Sequence, residues 1–349
     1  MKYSTIKKFS KYNSITFGGS VICLFGISKR AFSTCNDKEE RDFTKAREKD
    51  QINPYWVTGI IDAEGCFIIA ILPSTGPNKK KISLRLSVTQ KSHSVGILYD
   101  LQNFFGCGQV ITSSKDCMRF VVQKKEDILN KIIPHFTNFP LVTSKELNFE
   151  TLKEAAMIVA RGEHLNPIGL DKIISLKALM NKKRTFEELF NHFKNKTIKL
   201  DPCWVQAFIE GEGCFGTLLT KSDKTNKISI RNRLSISQST HDFAVLKAIK
   251  DFFKAGYLSP KAEDINSVDL AKLSQDNSFY YNSMPETFIP FFDKYPLYSR
   301  KQLDYQDFLK FYQLKKNKAH LTDTGFKIMD NLCRNMNSGR DNIEKSKRK

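Results

Sequence analysis

Hydrophobic and polar residues alternate strictly from Lys81 to Thr89: Ile82, Leu84, Leu86 and Val88 fall on one side, Lys81, Ser83, Arg85, Ser87 and Thr89 on the other. A period of two predicts a half-buried strand with one polar face. The pattern returns at 228–237, where Ser229, Arg231, Arg233, Ser235 and Ser237 are the polar set. Each strand is preceded by another strand-like stretch, 66–72 or 214–220, and that in turn by a mostly apolar one. The two apolar stretches read WVTGIIDAEGCF, Trp56–Phe67, and WVQAFIEGEGCF, Trp204–Phe215. Asn53-Pro54 and Asp201-Pro202 stand just ahead of them, an N-cap followed by a proline suited to the first helical position. Each stretch should be a helix ending at Gly65 or Gly213, in the left-handed conformation that glycine adopts at little cost.

Small residues recur at i, i+4 in both helices, as Gly59 and Ala63 in one and Ala207 and Gly211 in the other. Each helix therefore has a bare face, and two such faces can bring backbones close together. Packed about a two-fold axis, the helices would bring their last carboxylates, Glu64 and Glu212, together at one end. A helix C-terminus carries partial negative charge and is a poor place for a carboxylate, so a compensating cation is expected there. Asp62 and Glu210 point elsewhere on the helices and are expected to be structural.

The chain is an internal repeat. Trp56 to Phe105 aligns without gaps to Trp204 to Phe253, pairing Gln90 with Gln238 and His93 with His241. Further on, Pro140-Leu141 matches Pro296-Leu297, Lys145 matches Lys301, and 164–184 matches 320–340, once extra residues near 258–278 are allowed for. Helices are expected at about 94–105 and 242–253, with further strands near 108–123 and 256–282. More helices are expected near 125–136, 143–160 and 299–316. Each copy reads α-β-β-α-β-β-α, an α+β unit. The expected organisation is a leader and linker at 1–50, a first domain at 51–186, a basic connector at 187–200, a second domain at 201–340 and a basic tail at 341–349. Within the first of these, 37–50 is expected to be a solvated charged linker.

Composition narrows the partner. Lys and Arg number 56 against 37 Asp and Glu, for a net charge of +19, which implies a polyanion or an anionic surface. Nucleic acid is favoured, because no continuous apolar run is long enough to span a membrane. The eight cysteines form no CxxC pair and no histidine sits at zinc-ligand spacing, so they are expected to be reduced, buried and structural. Residues 1–36 contain no Asp or Glu and are basic and Ser-rich, as mitochondrial transit segments are. The alternative is an upstream remnant of an organelle-encoded intron reading frame, which leads to the same compartment.

The nonamers VTGIIDAEG at 57–65 and VQAFIEGEG at 205–213 resemble the motif of the LAGLIDADG homing endonucleases, in the single-chain form with two motif copies. They depart from the consensus at several positions but keep the small residues, the final acid and the closing glycine, and the resemblance covers roughly 53–340. It implies two pseudo-symmetric αββαββα halves packed through the paired motif helices, with antiparallel sheets forming a DNA-binding saddle. It implies a monomer that cleaves a long asymmetric double-stranded DNA site by hydrolysis dependent on Mg²⁺ or another divalent cation. Glu64 and Glu212 would be metal-holding catalytic acids, one for each strand. Gln90 and Gln238 match a polar position near the metal-site waters, and Lys145 and Lys301 a basic position near the scissile phosphate. Lys81, Ser83, Arg85, Ser87, Ser229, Arg231, Arg233 and Ser235 would face the major groove, where Arg reads guanine and hydroxyls read several bases. The competing reading is an intron maturase that binds RNA on the same fold without cutting. Loss of a motif carboxylate would favour it, and both are present.

Overall fold

The computed structural model describes residues 42–75, 80–181, 184–259 and 278–340. The leader 1–36, the basic tail 341–349 and most of the extra segment near 258–278 lie outside the described residues. All elements below belong to one unit, Phe43–Lys349.

Two helices meet at the centre, α1 (Pro54–Glu64) and α7 (Pro202–Glu212). Asn53 and Asp201 cap them as expected, each side chain accepting from the second backbone N–H inside the helix. A Cβ on Gly59 would stand 2.6 Å from the Trp204 carbonyl oxygen and 2.8 Å from Ala207 Cβ, and one on Gly211 would stand 2.4 Å from Ala63 Cβ. The backbones therefore touch along the bare faces. The helix ends differ from expectation. Gly65 and Gly213 are extended, with φ −76° and −75°, not left-handed. The chain passes straight from helix into strand with no turn between. Glycine is required because a Cβ on Gly65 would sit 2.6 Å from the Ile61 carbonyl oxygen, and one on Gly213 2.6 Å from that of Ile209.

Each helix feeds a four-stranded antiparallel sheet. The first contains β1 (Gly65–Pro73), β2 (Lys80–Lys91), β3 (Gln109–Ser114) and β4 (Cys117–Val122), in the order β1-β2-β4-β3. The second contains β5 (Gly213–Lys221), β6 (Ile228–Ser239), β7 (Tyr257–Ser259) and β8 (Ser278–Ser283), in the order β5-β6-β8-β7. Along β2, Leu84, Leu86 and Val88 turn inward onto a core that includes Phe67, Phe120, Phe136 and Phe149. The matching core in the second half gathers Phe215, Leu234, Phe288, Phe292 and Phe308. The second half breaks its own alternation once. Asn232, opposite Thr217, is buried on the inner face, where the first half has Leu84.

The outer helices are α2 (Gly96–Phe105), α3 (Ile133–Asn138), α4 (Lys145–Ala160), α5 (Pro167–Ala178), α6 (Phe186–Phe193), α8 (Phe243–Phe253), α9 (Pro285–Lys294), α10 (Lys301–Lys316) and α11 (Asp323–Asn335). Three sequence expectations differ from the structure. The described cysteines are free but not buried: Cys214 is exposed and Cys66, Cys107, Cys117, Cys203 and Cys333 are half-buried, Cys66 and Cys214 because strand alternation puts them opposite to the inward Phe67 and Phe215. The helix expected at 125–136 passes through a π turn at Ile128–Ile132, next to Pro134, which has no N–H to continue the α pattern. The connector expected at 187–200 contains α6, opened by a capping box between Thr185 and Glu188. Its apolar side, Leu189, Phe190 and Phe193, is buried. No helix among the described residues is long and apolar enough to cross a membrane.

Candidate active site

Glu64 and Glu212 end the two central helices, and the close packing at Gly211 brings them to one place. A Cβ on Gly211 would lie 3.3 Å from Glu64 Cγ and 3.5 Å from Glu64 Oε1. Both carboxylates are half-buried. The Glu212 carboxyl is held above its usual range first by burial and then by the charge of Glu64, while a side-chain hydrogen bond with Gln238 opposes the rise. Gln238 thus stands beside Glu212. Gln90, its equivalent, is half-buried on β2 across from Met118.

Two lysines sit under the helix ends. Lys145 Nζ, at the start of α4, donates to the carbonyl oxygens of Ala63 at 2.7 Å and Ile61 at 3.3 Å. Lys301 Nζ, at the start of α10, donates to Gly213 at 2.6 Å, Gly211 at 3.0 Å and Ile209 at 3.3 Å. Burial pushes both ammonium pKa values down, and the charges of Asp62, Glu210, Glu64 and Glu212 push them back up. The cation that offsets the negative helix ends is in part the protein's own, donating to the Ala63 and Gly211 carbonyls and adding a second donor at Ile61 and Ile209, which already accept from Gly65 N and Gly213 N.

Asp62 and Glu210 are structural, as expected, and they show how. Asp62 accepts from Val142 N at 3.1 Å, Thr143 N at 3.2 Å, Thr143 Oγ1 at 2.6 Å and, from the other half, Trp204 Nε1 at 2.8 Å. Burial raises its pKa to about 6. Glu210 accepts in the same way from the backbone of Tyr298 and Ser299. Each acid therefore fixes the approach to the helix that carries the site lysine. Cross-half bonds on the flanks complete the clamp: Ser144 donates from N and Oγ to Asp242, and Arg300 N donates to Ser94 Oγ.

The clamp has one element that sequence reading assigned to a solvated linker. Within 37–50, residues 37–41 lie outside the described residues, and most of 42–50 is exposed as expected, but Phe43 and Arg47 are half-buried and anchored. Phe43 O accepts from Gly96 N, and Arg47 is held by Asp100 through its own N at 2.6 Å and its Nε at 2.9 Å. Its guanidinium lies 4.1 Å from the ring centre of Trp56 and 3.6 Å from that of Tyr298, joining the two halves. Only a buried acid on α2 could have revealed this, and Asp100 reads in sequence as an ordinary helix residue.

The expected groove-facing residues lie on the outer sheet faces. Lys81, Ser229, Arg231 and Arg233 are exposed, and Ser83, Arg85 and Ser235 are half-buried. Ser87 departs from the expected exposure. It lies between Cys66 and Val121 in the register and is buried, 8% exposed, so its cross-strand neighbours cover it. The same face carries a cation that sequence reading missed, Arg119, whose Nε donates to Thr89 Oγ1. Among the described residues no three His, Cys, Asp or Glu side chains converge. A metal here would rest on Glu64 and Glu212, with its remaining ligands supplied by water and phosphate, the coordination that Mg²⁺ commonly takes. The charge crowding at Glu212 fits that donor set.

Comparison with known proteins agrees with this geometry. A family model described as LAGLIDADG endonuclease matches residues 57–156 and 207–312. The chain is 27% identical over 306 residues to "Probable intron-encoded endonuclease 3" of Neurospora crassa, covering 82% of this chain and 55% of that protein. It is 27% identical over 328 residues to "Probable intron-encoded endonuclease 2" of the same organism, covering 84% and 69%. The chain thus spans little more than half the length of the first of these relatives. Among solved structures it is similar to I-SmaMI bound to uncleaved DNA target in the presence of calcium ions, with a TM-score of 0.70 and 26% identity over 82% of this chain and 99% of that one.

Proposed function

The chain belongs to the LAGLIDADG endonuclease family, and on that premise we propose that it is a site-specific double-strand DNA endonuclease acting as a monomer. The observation that carries the reading is the meeting of Glu64 and Glu212 at one end of a helix pair whose backbones touch. One carboxylate comes from each half, so one site can serve both strands of a duplex. The halves are taken as residues 51–186 and 201–340, and mitochondrial localisation rests on the composition of 1–36.

Glu64 and Glu212 would hold a divalent cation between them. Such an ion lowers the pKa of a water nucleophile and stabilises the leaving 3′ oxygen. Gln238 orients the Glu212 carboxylate through its hydrogen bond, and Gln90 is proposed to do the same on the other side. Lys145 and Lys301 hold the helix ends in place and set the local positive potential that a scissile phosphate would meet. Asp62 and Glu210 fix the loops that lead to those lysines. Lys81, Ser83, Arg85, Ser229, Arg231, Arg233 and Ser235, joined by Arg119, would follow the major groove. Two unlike polar faces imply a long target with unlike halves. Because both motif carboxylates are present, cutting is proposed in preference to RNA binding alone.

The test is selection of cut sites from a genomic or random DNA library in Mg²⁺, with a chelator control. One recurrent asymmetric site, lost on chelation, is the expected result. Scattered cutting, or none, would overturn the proposal.

A further inference from the structure

The outer face of the first sheet holds more than charge. Register places Ile68 opposite Arg85, Leu72 opposite Lys81 and Ile111 opposite Arg119. The inward neighbours Ile71, Ile82 and Val110 pack against the core, whereas these three do not join it. Leu72 is 42% and Ile111 45% exposed. They stand on β1 and β3, the two edges of the sheet, where uncovered aliphatic side chains invite aggregation unless something covers them. The matched positions in the second sheet carry no large aliphatic group: Gly216 corresponds to Ile68 and Thr220 to Leu72. There Leu218 is the one aliphatic side chain on the outer face of β5.

Each of the three aliphatic groups adjoins a cation. A duplex drawn down by those cations would bring its groove floor against the aliphatic side chains. The apolar group that the major groove presents is the thymine 5-methyl. Resting on the endonuclease reading above, we propose that Ile68, Leu72 and Ile111 read thymine methyl groups, and that the half-site under the first sheet carries thymines there. The other half-site is read chiefly through Arg231 and Arg233.

Deoxyuridine provides the test, since it differs from thymidine only in lacking that methyl. Binding of the full chain to its selected target is measured in Ca²⁺, with thymines replaced by deoxyuridine in one half-site at a time. Each contacted methyl removed from the first half-site should weaken binding about fourfold, the equivalent of one buried methylene. The same replacement in the second half-site should have a smaller effect. In a Leu72→Ser, Ile111→Ser variant, whose changed side chains lie outside the core, the uracil penalty in the first half-site should largely vanish. A first half-site without thymines, equal penalties in the two halves, or a penalty undiminished in the variant would overturn the inference while leaving the nuclease intact. A chain that cuts no DNA would overturn the nuclease reading, and this inference with it.

Discussion

One methyl group added at Gly211 should cripple cutting more than it destabilises the fold. In Gly211→Ala the new Cβ would stand 2.4 Å from Ala63 Cβ, where ordinary contact begins at 3.4 Å, so the helices must part by about 1 Å. Overpacking of this kind typically costs about 1–3 kcal/mol. The same Cβ would lie 3.3 Å from Glu64 Cγ, so the displacement falls on the carboxylate proposed to hold metal. Catalytic constellations tolerate about 0.5 Å, and a misplacement of about 1 Å can cost about 10²-fold in rate. Gly216→Ala is the control, because its Cβ would meet nothing closer than the Arg233 carbonyl oxygen at 3.6 Å. Denaturant midpoints give the stability change, and linearisation of plasmid carrying the target gives the rate. A Gly211→Ala protein that unfolds with the parent and cuts at the parent rate would refute the close-packing argument.

Glu64→Gln and Glu212→Gln should each slow cutting by about 10³-fold or more, since metal-assisted steps are worth several kcal/mol, while binding in Ca²⁺ persists. Gel separation of intact, nicked and linear plasmid reads this, and wild-type cutting by the double variant would place the active site elsewhere. DNA binding should weaken steeply with salt, with a slope of about −0.9 in log K per phosphate contact, as measured by titration across a salt series. His135, whose pKa burial lowers from 6.5 to about 4, should make stability fall with acid. Between those values the unfolded chain binds a proton that the folded one refuses, so stability is lost as pH drops from 6.5 toward 4. His135→Phe, in a pocket already lined by Phe104, Phe105, Phe136 and Phe139, should flatten the difference between denaturant midpoints taken above and below that window.

The parts of this molecule that could be read in advance are those in which local pattern and structure share a cause. The strands obey a period of two because one face is buried, and β2 and β6 lie where Leu84 and Leu234 place them. The helix pair was legible because a bare stripe and a terminal acid occur twice. Gly65 ends its helix as the motif predicts, but for a different reason. Its need comes from the Ile61 carbonyl behind it, not from a positive φ. The helix α6 carried its signal in Thr185 and Glu188, which the basic residues after it obscured. The targets of Lys145 and Lys301 were not legible, because their partners are backbone carbonyls distant in sequence. Ser87 kept its expected face but lost its exposure to neighbours that alternation does not identify.

Arg47 bears on how the two copies can be inherited. It binds Asp100 in its own half and stacks on Tyr298 of the other, and the second copy has Ala248 where the first has Asp100. On the opposite side of the pseudo-dyad the corresponding work is done by a bond from Trp204 to Asp62. The duplicates have therefore become a matched pair, each adapted to what its sister lacks. A first copy joined to a second copy without a tyrosine at 298 would arrive with a guanidinium and no ring to receive it. The boundary of the unit that evolution or an engineer can exchange lies ahead of Phe43, upstream of the motif helix, because the residues just before that helix already belong to the seam.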